Sequence, residues 1–300
     1  MSWLQLSFDI DKDQSELLEY LLEEAGALSV TFADAGDQPL FEPQPGTTPL
    51  WQQIQLIALF DENTELTELL ATLRAGFTES AANATWPEPV CETLLDKDWE
   101  REWMDKFKPI RFGPRLWVCP SWHQPPDPKA VNLMLDPGLA FGTGTHPTTA
   151  QCLEWLDGQQ LTGKSVIDYG CGSGILAIAA LKLGAGSAIA TDIDPQALKA
   201  TQDNARQNAI NSEQLTCYLP KNMPQTQADL VIANILAGPL IELYPQLSAV
   251  SKPGGQLLLS GILEDQAEQL IATYRQSFVF DPIRQRDGWV LLSASKRMSL

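Results

Sequence analysis

Residues 166–178 read VIDYGCGSGILAI, and this stretch decides the fold. A short apolar strand, Ser165–Asp168, runs into a turn in which Gly170, Gly172 and Gly174 alternate, and a helix starts near Gly174. Glycine takes positive φ freely and, lacking Cβ, lets backbone approach a ligand closely. The helix after such a turn aims its free N–H groups at a polar ligand. Strand, glycine turn and helix together predict a site for a nucleotide-like cofactor.

Outward from this stretch, residues 131–300 alternate strand and helix. Strands are expected at Asn132–Leu135, Val166–Asp168, Ser187–Thr191, Leu215–Leu219, Leu230–Ala233 and Gln256–Ser260. Helices are expected at Thr148–Leu156, Ile175–Leu183, Pro195–Asn208, Ala237–Val250 and Glu264–Gln276. Phe278–Phe280 and Trp289–Ala294 read as a closing hairpin. The pattern is α/β, a doubly wound sheet with an antiparallel end.

The first 95 residues follow a different order. Leu4, Leu6, Phe8 and Ile10 alternate along a strand, and Leu17, Leu18, Leu21 and Leu22 lie at helical spacing before a stop at Gly26. Ser29–Ala33 and Gln52–Phe60 read as strands around a loop at 34–50. A helix over 65–75, capped by Asn63 or Thr64 and stopped by Gly76, precedes a last strand at Pro89–Leu94. The order β-α-β-β-α-β predicts an α+β ferredoxin-like domain over 1–95. Residues 96–130 read as a linker region. Its helix, Asp96–Lys108, puts Trp99 and Trp103 on one face; two short strands, Ile110–Phe112 and Leu116–Cys119, and a proline-rich loop, Ser121–Lys129, follow.

The 300-residue chain carries a net charge of −18, unevenly placed. Residues 1–95 hold 17 acids against Lys12 and Arg74, a net of −15, whereas residues 131–300 hold 15 acids and 11 bases, a net of −4. So acidic a front repels phosphate backbones and attracts a basic protein, so direct nucleic-acid binding is not expected. A merely solubilising surface is the competing explanation. No apolar run reaches membrane-spanning length, and the start lacks the basic then apolar pattern of a signal peptide. Five scattered cysteines without a C-x-x-C pair fit a reducing cytosol rather than disulfides or zinc. With His123 and His146 as the only histidines, no metal site is expected.

In a sheet of this kind the chemistry gathers at the carboxyl ends of the strands. One strand end gives Asp168 and the glycine turn. The next gives Asp192, 22 residues after Gly170, a spacing that suits an acid on ribose hydroxyls. A third gives Asn234 in ANILAGP. Gly172-x-Gly174-x-x-Ala177 satisfies a dinucleotide fingerprint and keeps an NAD-dependent oxidoreductase open. Asp168-x-Gly170-x-Gly172-x-Gly174 resembles motif one of class I S-adenosylmethionine-dependent methyltransferases, which implies cofactor contacts from Asp168, Gly170, Gly172, Gly174 and Asp192. Methyltransferases acting on nitrogen often end the fourth strand in N-P-P-Y; the tetrad here is Asn234-Ile235-Leu236-Ala237. The Asn is kept, so an amine acceptor is expected, and the missing aromatic counts against a nucleobase. A plain turn residue is the alternative for Asn234. Leu139–Thr149, LAFGTGTHPTT, reads as a lid, with Thr149 a helix cap or a cofactor ligand and His146 a base or an ordinary loop histidine.

LAFGTGTHPTT, D-x-GCGSGILAIAA, ATDIDP and NILAGPL, in this order behind an acidic α+β domain, resemble the bacterial methyltransferases of the large-subunit ribosomal protein L-eleven. The resemblance spans essentially the whole chain. It implies a class I seven-stranded sheet, S-adenosylmethionine as cofactor, and a front domain that recognises the basic ribosomal substrate. It implies methylation of α-amino and lysine ε-amino groups to trimethylated products by a cytoplasmic enzyme. Thr149, Gly170, Asp192 and Asn234 would contact the cofactor, with Asn234 orienting the amine as the catalytic residue; no general base stands out. The chain is expected to act as a monomer. A non-catalytic module that holds a basic protein is the remaining alternative.

Overall fold

Leu6, Phe8 and Ile10 on β1 (Ser2–Asp11) and Ile54, Leu56, Ala58 and Phe60 on β3 (Gln53–Asp61) point to one buried face, as alternation requires. The computed structural model describes residues 2–36, 38, 49–81, 84–95, 107–136 and 144–298. It divides into two compact units, Met1–Met104 and Asp105–Leu300.

The first unit adds α1 (Ser15–Glu24), β2 (Ser29–Asp34), α2 (Leu66–Ser80) and β4 (Val90–Leu95). Its sheet runs β2-β3-β1-β4 with every neighbour antiparallel, the arrangement of a ferredoxin-like sandwich. Leu18 and Leu22 of α1 and Leu69, Leu73 and Phe77 of α2 close the core over the sheet. Two local expectations fail here. Gly76 does not stop α2; a Cβ there would lie 2.8 Å from Leu21 Cδ2, so the glycine marks close approach of two helices. Asn63 does not cap α2 either. Its backbone N–H and Nδ2 both donate to Asp61 Oδ1, and Glu65 occupies the cap position. The helix expected around Trp99 and Trp103 lies outside the described residues.

The second unit begins with a three-stranded sheet, β5 (Ile110–Phe112), β6 (Leu116–Cys119) and β7 (Val131–Met134), in that order. Phe112, Leu116 and Val118, from the stretch read as linker, join this unit's core. At the outer edge of β7 the Asn208 side chain does the work of a strand. Its Oδ1 accepts from Met134 N–H at 2.8 Å and its Nδ2 donates to Met134 O at 2.7 Å.

The main sheet follows from α3 (Pro147–Asp157), β8 (Ser165–Tyr169), α4 (Ile175–Lys182), β9 (Ser187–Thr191), α5 (Pro195–Gln207), β10 (Leu215–Tyr218) and β11 (Ala228–Asn234). It is completed by α6 (Ala237–Glu242), α7 (Tyr244–Val250), β12 (Ser251–Leu263), α8 (Ala267–Tyr274), β13 (Phe278–Phe280), β14 (Arg284–Arg286) and β15 (Trp289–Lys296). Strand order is β10-β9-β8-β11-β12-β15-β13, with β14 beside β15. The first five are parallel, while β15 runs antiparallel to β12 and β13. This is the expected seven-stranded doubly wound sheet with its antiparallel end. Leu230 and Ile232 of β11 face one core layer and Val231 and Ala233 the other, which makes the middle of this central strand apolar on both faces. The single helix expected over Ala237–Val250 is broken at Leu243. Pro245 has no N–H for the Ile241 carbonyl, and its ring would clash with that group. Among the described residues no helix is long and apolar enough to cross a membrane.

Candidate functional site

The chain leaves β8 toward β9 and β10 on one side and returns to build β11 and β12 on the other. Beyond the carboxyl ends of β8 and β11 this reversal leaves a crevice, the place where doubly wound sheets hold ligands. Asp168, the glycine turn and Asn234 all sit at that end, with Asp192 just past β9.

The turn needs its glycines. Gly170, Gly172 and Gly174 have φ of 80°, 53° and 77°, and Gly174 is the N-cap of α4. A Cβ at Gly174 would lie 2.6 Å from Thr201 Cγ2. The turn is tied down from β9 and α5. Gly170 N–H and Cys171 N–H both donate to Thr191 O, at 2.7 and 3.1 Å. Thr201 Oγ1 donates to Gly172 O at 3.0 Å and Asn204 Nδ2 to Ser173 O at 2.8 Å.

Asp192 is locked to the same turn. Its Oδ2 accepts from Gly172 N–H at 2.9 Å and its Oδ1 from Asp194 N–H at 3.0 Å, while Asp194 caps α5 through Gln196 N–H. Each carboxylate oxygen keeps lone-pair capacity for a further donor. Between the two acids Ile193 stands 84% exposed, an apolar surface beside a polar anchor.

Asp168 is buried. Its Oδ2 accepts from Ala177 N–H at 3.1 Å, and its Oδ1 is buried without a hydrogen-bond partner among the described residues. Burial pushes its carboxyl up to about 7; the Ala177 N–H pulls it back in part and the Asp192 charge raises it further.

Asn234 ends β11, paired with Ser260 of β12. Its Nδ2 donates to Thr149 Oγ1 at 3.2 Å. Thr149 is therefore no helix cap. His146 takes that role for α3, its Nδ1 accepting from Thr148 N–H at 3.4 Å and lying 2.8 Å from Thr148 Oγ1. The His146 ring stands edge-on to Trp289 at 4.9 Å, and burial lowers its pKa. Of the stretch read as a lid, 139–143 lies outside the described residues.

Residues 2–297 match the family described as ribosomal protein L11 methyltransferase. The chain belongs to that family. Relatives of that name from Pseudomonas aeruginosa and Azotobacter vinelandii are each 57% identical over 297 residues, covering 99% of this chain and 99% and 100% of theirs. A crystal structure of ribosomal protein L11 methylase from Lactobacillus delbrueckii subsp. bulgaricus aligns with 64% of this chain and 100% of its own, at 34% identity and a TM-score of 0.58.

This L11 methyltransferase family member also uses residues that sequence reading did not single out. Thr201 and Asn204 hold the turn from a helix whose sequence carries no glycine or acid motif at those positions. Their spacing of three puts both on one face of α5, the only available signal. Ile235 and Gly261 bear on the Asn234 turn through packing alone, which no local pattern announces.

Proposed function

We infer that this chain transfers methyl groups from S-adenosylmethionine to ribosomal protein L11. Family membership over nearly the whole chain supports that activity. The observation that carries the site assignment is the Thr149–Asn234 hydrogen bond, which sets an amide across from the acid-and-glycine cradle.

The residues present fit the donor. It carries an ammonium group, a ribose diol and a flat base. The orphaned Oδ1 of Asp168 suits the ammonium, the doubly anchored Asp192 suits the diol, and exposed Ile193 suits the face of the base. Gly170, Gly172 and Gly174 offer backbone without side chains where the amino-acid end would lie. Thr149 would line the site beside Asn234. When bound, the sulfonium supplies an already activated methyl group.

Asn234 would then orient the acceptor. With Nδ2 engaged by Thr149, its Oδ1 is free to accept an amine N–H, and the lone pair of that amine is turned toward the methyl carbon. Only a neutral amine can attack, and a cationic neighbour together with desolvation favours the neutral form. Orientation and water exclusion are what this chain would contribute, in keeping with the absence of an evident base among the described residues. The acceptors proposed are the α-amino group and lysine ε-amino groups, carried to trimethylated products; the first two transfers can use the Asn234 hydrogen bond, whereas the neutral dimethylamine of the third has no N–H left and relies on its confinement beside the donor.

The acidic first domain, 1–95, is proposed to recognise the basic substrate protein, with the linker reduced to the part of 96–130 that precedes β5 and the catalytic domain taken to include the β5–β7 sheet. Charge supports this, since −15 over 1–95 attracts a basic partner. Incubation of unmethylated L11 with isotopically labelled S-adenosylmethionine, followed by peptide mass spectrometry, tests the reading. Label on the N-terminal peptide and on lysines is expected. An unlabelled L11, with NAD binding in calorimetry and none by S-adenosylmethionine, would return the site to oxidoreductase chemistry.

A further inference from the structure

The Asn234 turn has no proline to stiffen it, yet two other strands hold it in place. Ile235 follows Asn234 and is half-buried. On the β8 side a Cβ at Gly170 would overlap the Ile235 Cγ2 methyl. On the β12 side a Cβ at Gly261 would overlap the Ile235 carbonyl oxygen and lie 2.8 Å from the carbonyl carbon. Both glycines have positive φ, 80° and 81°, so neither position readily accepts another residue. The β12–β15 register shifts between Leu259 and Ile262, so Gly261 sits in an irregularity that lets β12 meet the Ile235 peptide. The next residue, Leu236, has φ −62° and ψ 154°, the φ that a proline would impose.

We propose that Ile235 is a positioning residue for methyl transfer, wedged between Gly170 and Gly261 so that the Asn234 amide is held at a fixed place relative to the cofactor turn. This rests on the reading of Asn234 as the group that orients the amine. The Cγ2 methyl is the essential part, because it is the atom seated on the glycine turn. Ile235 touches neither substrate nor donor in this proposal. It acts through Asn234, and it makes the acceptor and donor halves of the site a single rigid piece. Near-attack geometry is sensitive to displacements of about 1 Å, which makes such a wedge consequential.

The test uses the full chain with Ile235→Val, Ile235→Leu, Asn234→Ala and the double variant Asn234→Ala with Ile235→Leu. Valine keeps a methyl at the Cγ2 position, whereas leucine keeps the volume and loses it. For each, kcat and KM for L11 methylation, the dissociation constant for S-adenosylhomocysteine by calorimetry, and Tm are measured. Ile235→Val is expected to stay within about twofold of the parent kcat, and Ile235→Leu to fall roughly tenfold or more with KM and product affinity little changed. On the Asn234→Ala background the leucine substitution should have no further effect, because residues that act as a unit are not additive. Equal losses in the valine and leucine variants that follow Tm, or additive losses in the double variant, overturn the wedge while leaving the Asn234 reading intact. An Asn234→Ala enzyme with parental kcat overturns that reading, and the wedge with it.

Discussion

Thr149 Oγ1 accepts a hydrogen bond from Asn234 Nδ2 at 3.2 Å, across 85 residues of sequence. In the proposed site this contact decides which end of the amide would face the acceptor. Nδ2 is engaged, so Oδ1 is presented. Thr149→Val keeps the shape and removes the partner, leaving Nδ2 unsatisfied or the amide flipped. A loss of about 1–3 kcal/mol, roughly fivefold to 150-fold in kcat, is expected, with Thr149→Ser close to the parent. Stopped-assay kinetics on L11 check this; a valine enzyme at the parental rate would show that the bond does not orient the amide.

Asp168 sets a pH dependence with two signs. Its carboxyl is pushed up to about 7 by burial, against an unperturbed 3.8. The native state therefore keeps a proton that the unfolded chain gives up near 3.8, so this group's contribution to stability falls as pH rises from about 4 to 7. Donor affinity runs the other way, because the charged carboxylate is the form that attracts an ammonium group. Calorimetry at about pH 6 and 8 should find tighter S-adenosylmethionine binding at the higher pH, with proton release at the lower. Asp168→Asn should flatten both dependences and melt higher than the parent at about pH 8. A parental pH slope in the variant would assign the titration elsewhere.

Thr201 does not need to reach the donor to matter for its binding. It is fully buried and donates to Gly172 O at 3.0 Å. Thr201→Val should destabilise the fold by about 1–3 kcal/mol through the unsatisfied carbonyl. Cofactor affinity should fall several-fold in the same variant, since the N–H of the same residue, Gly172, donates to Asp192. Melting curves with and without S-adenosylhomocysteine separate the two effects. A lower Tm with unchanged affinity would confine Thr201 to stability.

The acidic first domain should act on encounter rather than on chemistry. Attraction between exposed charges is screened within about 10 Å at roughly 0.1 M salt. On the proposed steering of L11 by this domain, raising ionic strength should lower kcat/KM steeply while kcat stays nearly level. Salt-independent kcat/KM would favour a solubilising role for the charge.

Much of the candidate site can be read from the sequence because it depends on residue types that chemistry demands at strand ends. Asp168, Gly170, Gly172, Gly174 and Asp192 announce themselves by spacing; the structure gathers them at one end of the sheet and bonds Gly172 N–H to Asp192. Asn234 was readable for the same reason. Ile235 and Gly261 were not, because their meaning lies in what a missing Cβ would strike on a neighbouring strand. Gly76 was misread for a related reason. A glycine that ends a helix and one that lets another helix come close look alike in sequence, and only the Leu21 contact tells them apart. Pro245 was visible from the start, and its missing N–H explains the break between α6 and α7.

The Asn208 amide on Met134 has a consequence for solubility. β7 is an edge of its sheet, and an uncovered edge is a template on which another chain can add a strand. By engaging both the N–H and the carbonyl of Met134, Asn208 closes that docking point with a side chain rather than a strand. One carboxamide thus works as a guard against edge-to-edge aggregation.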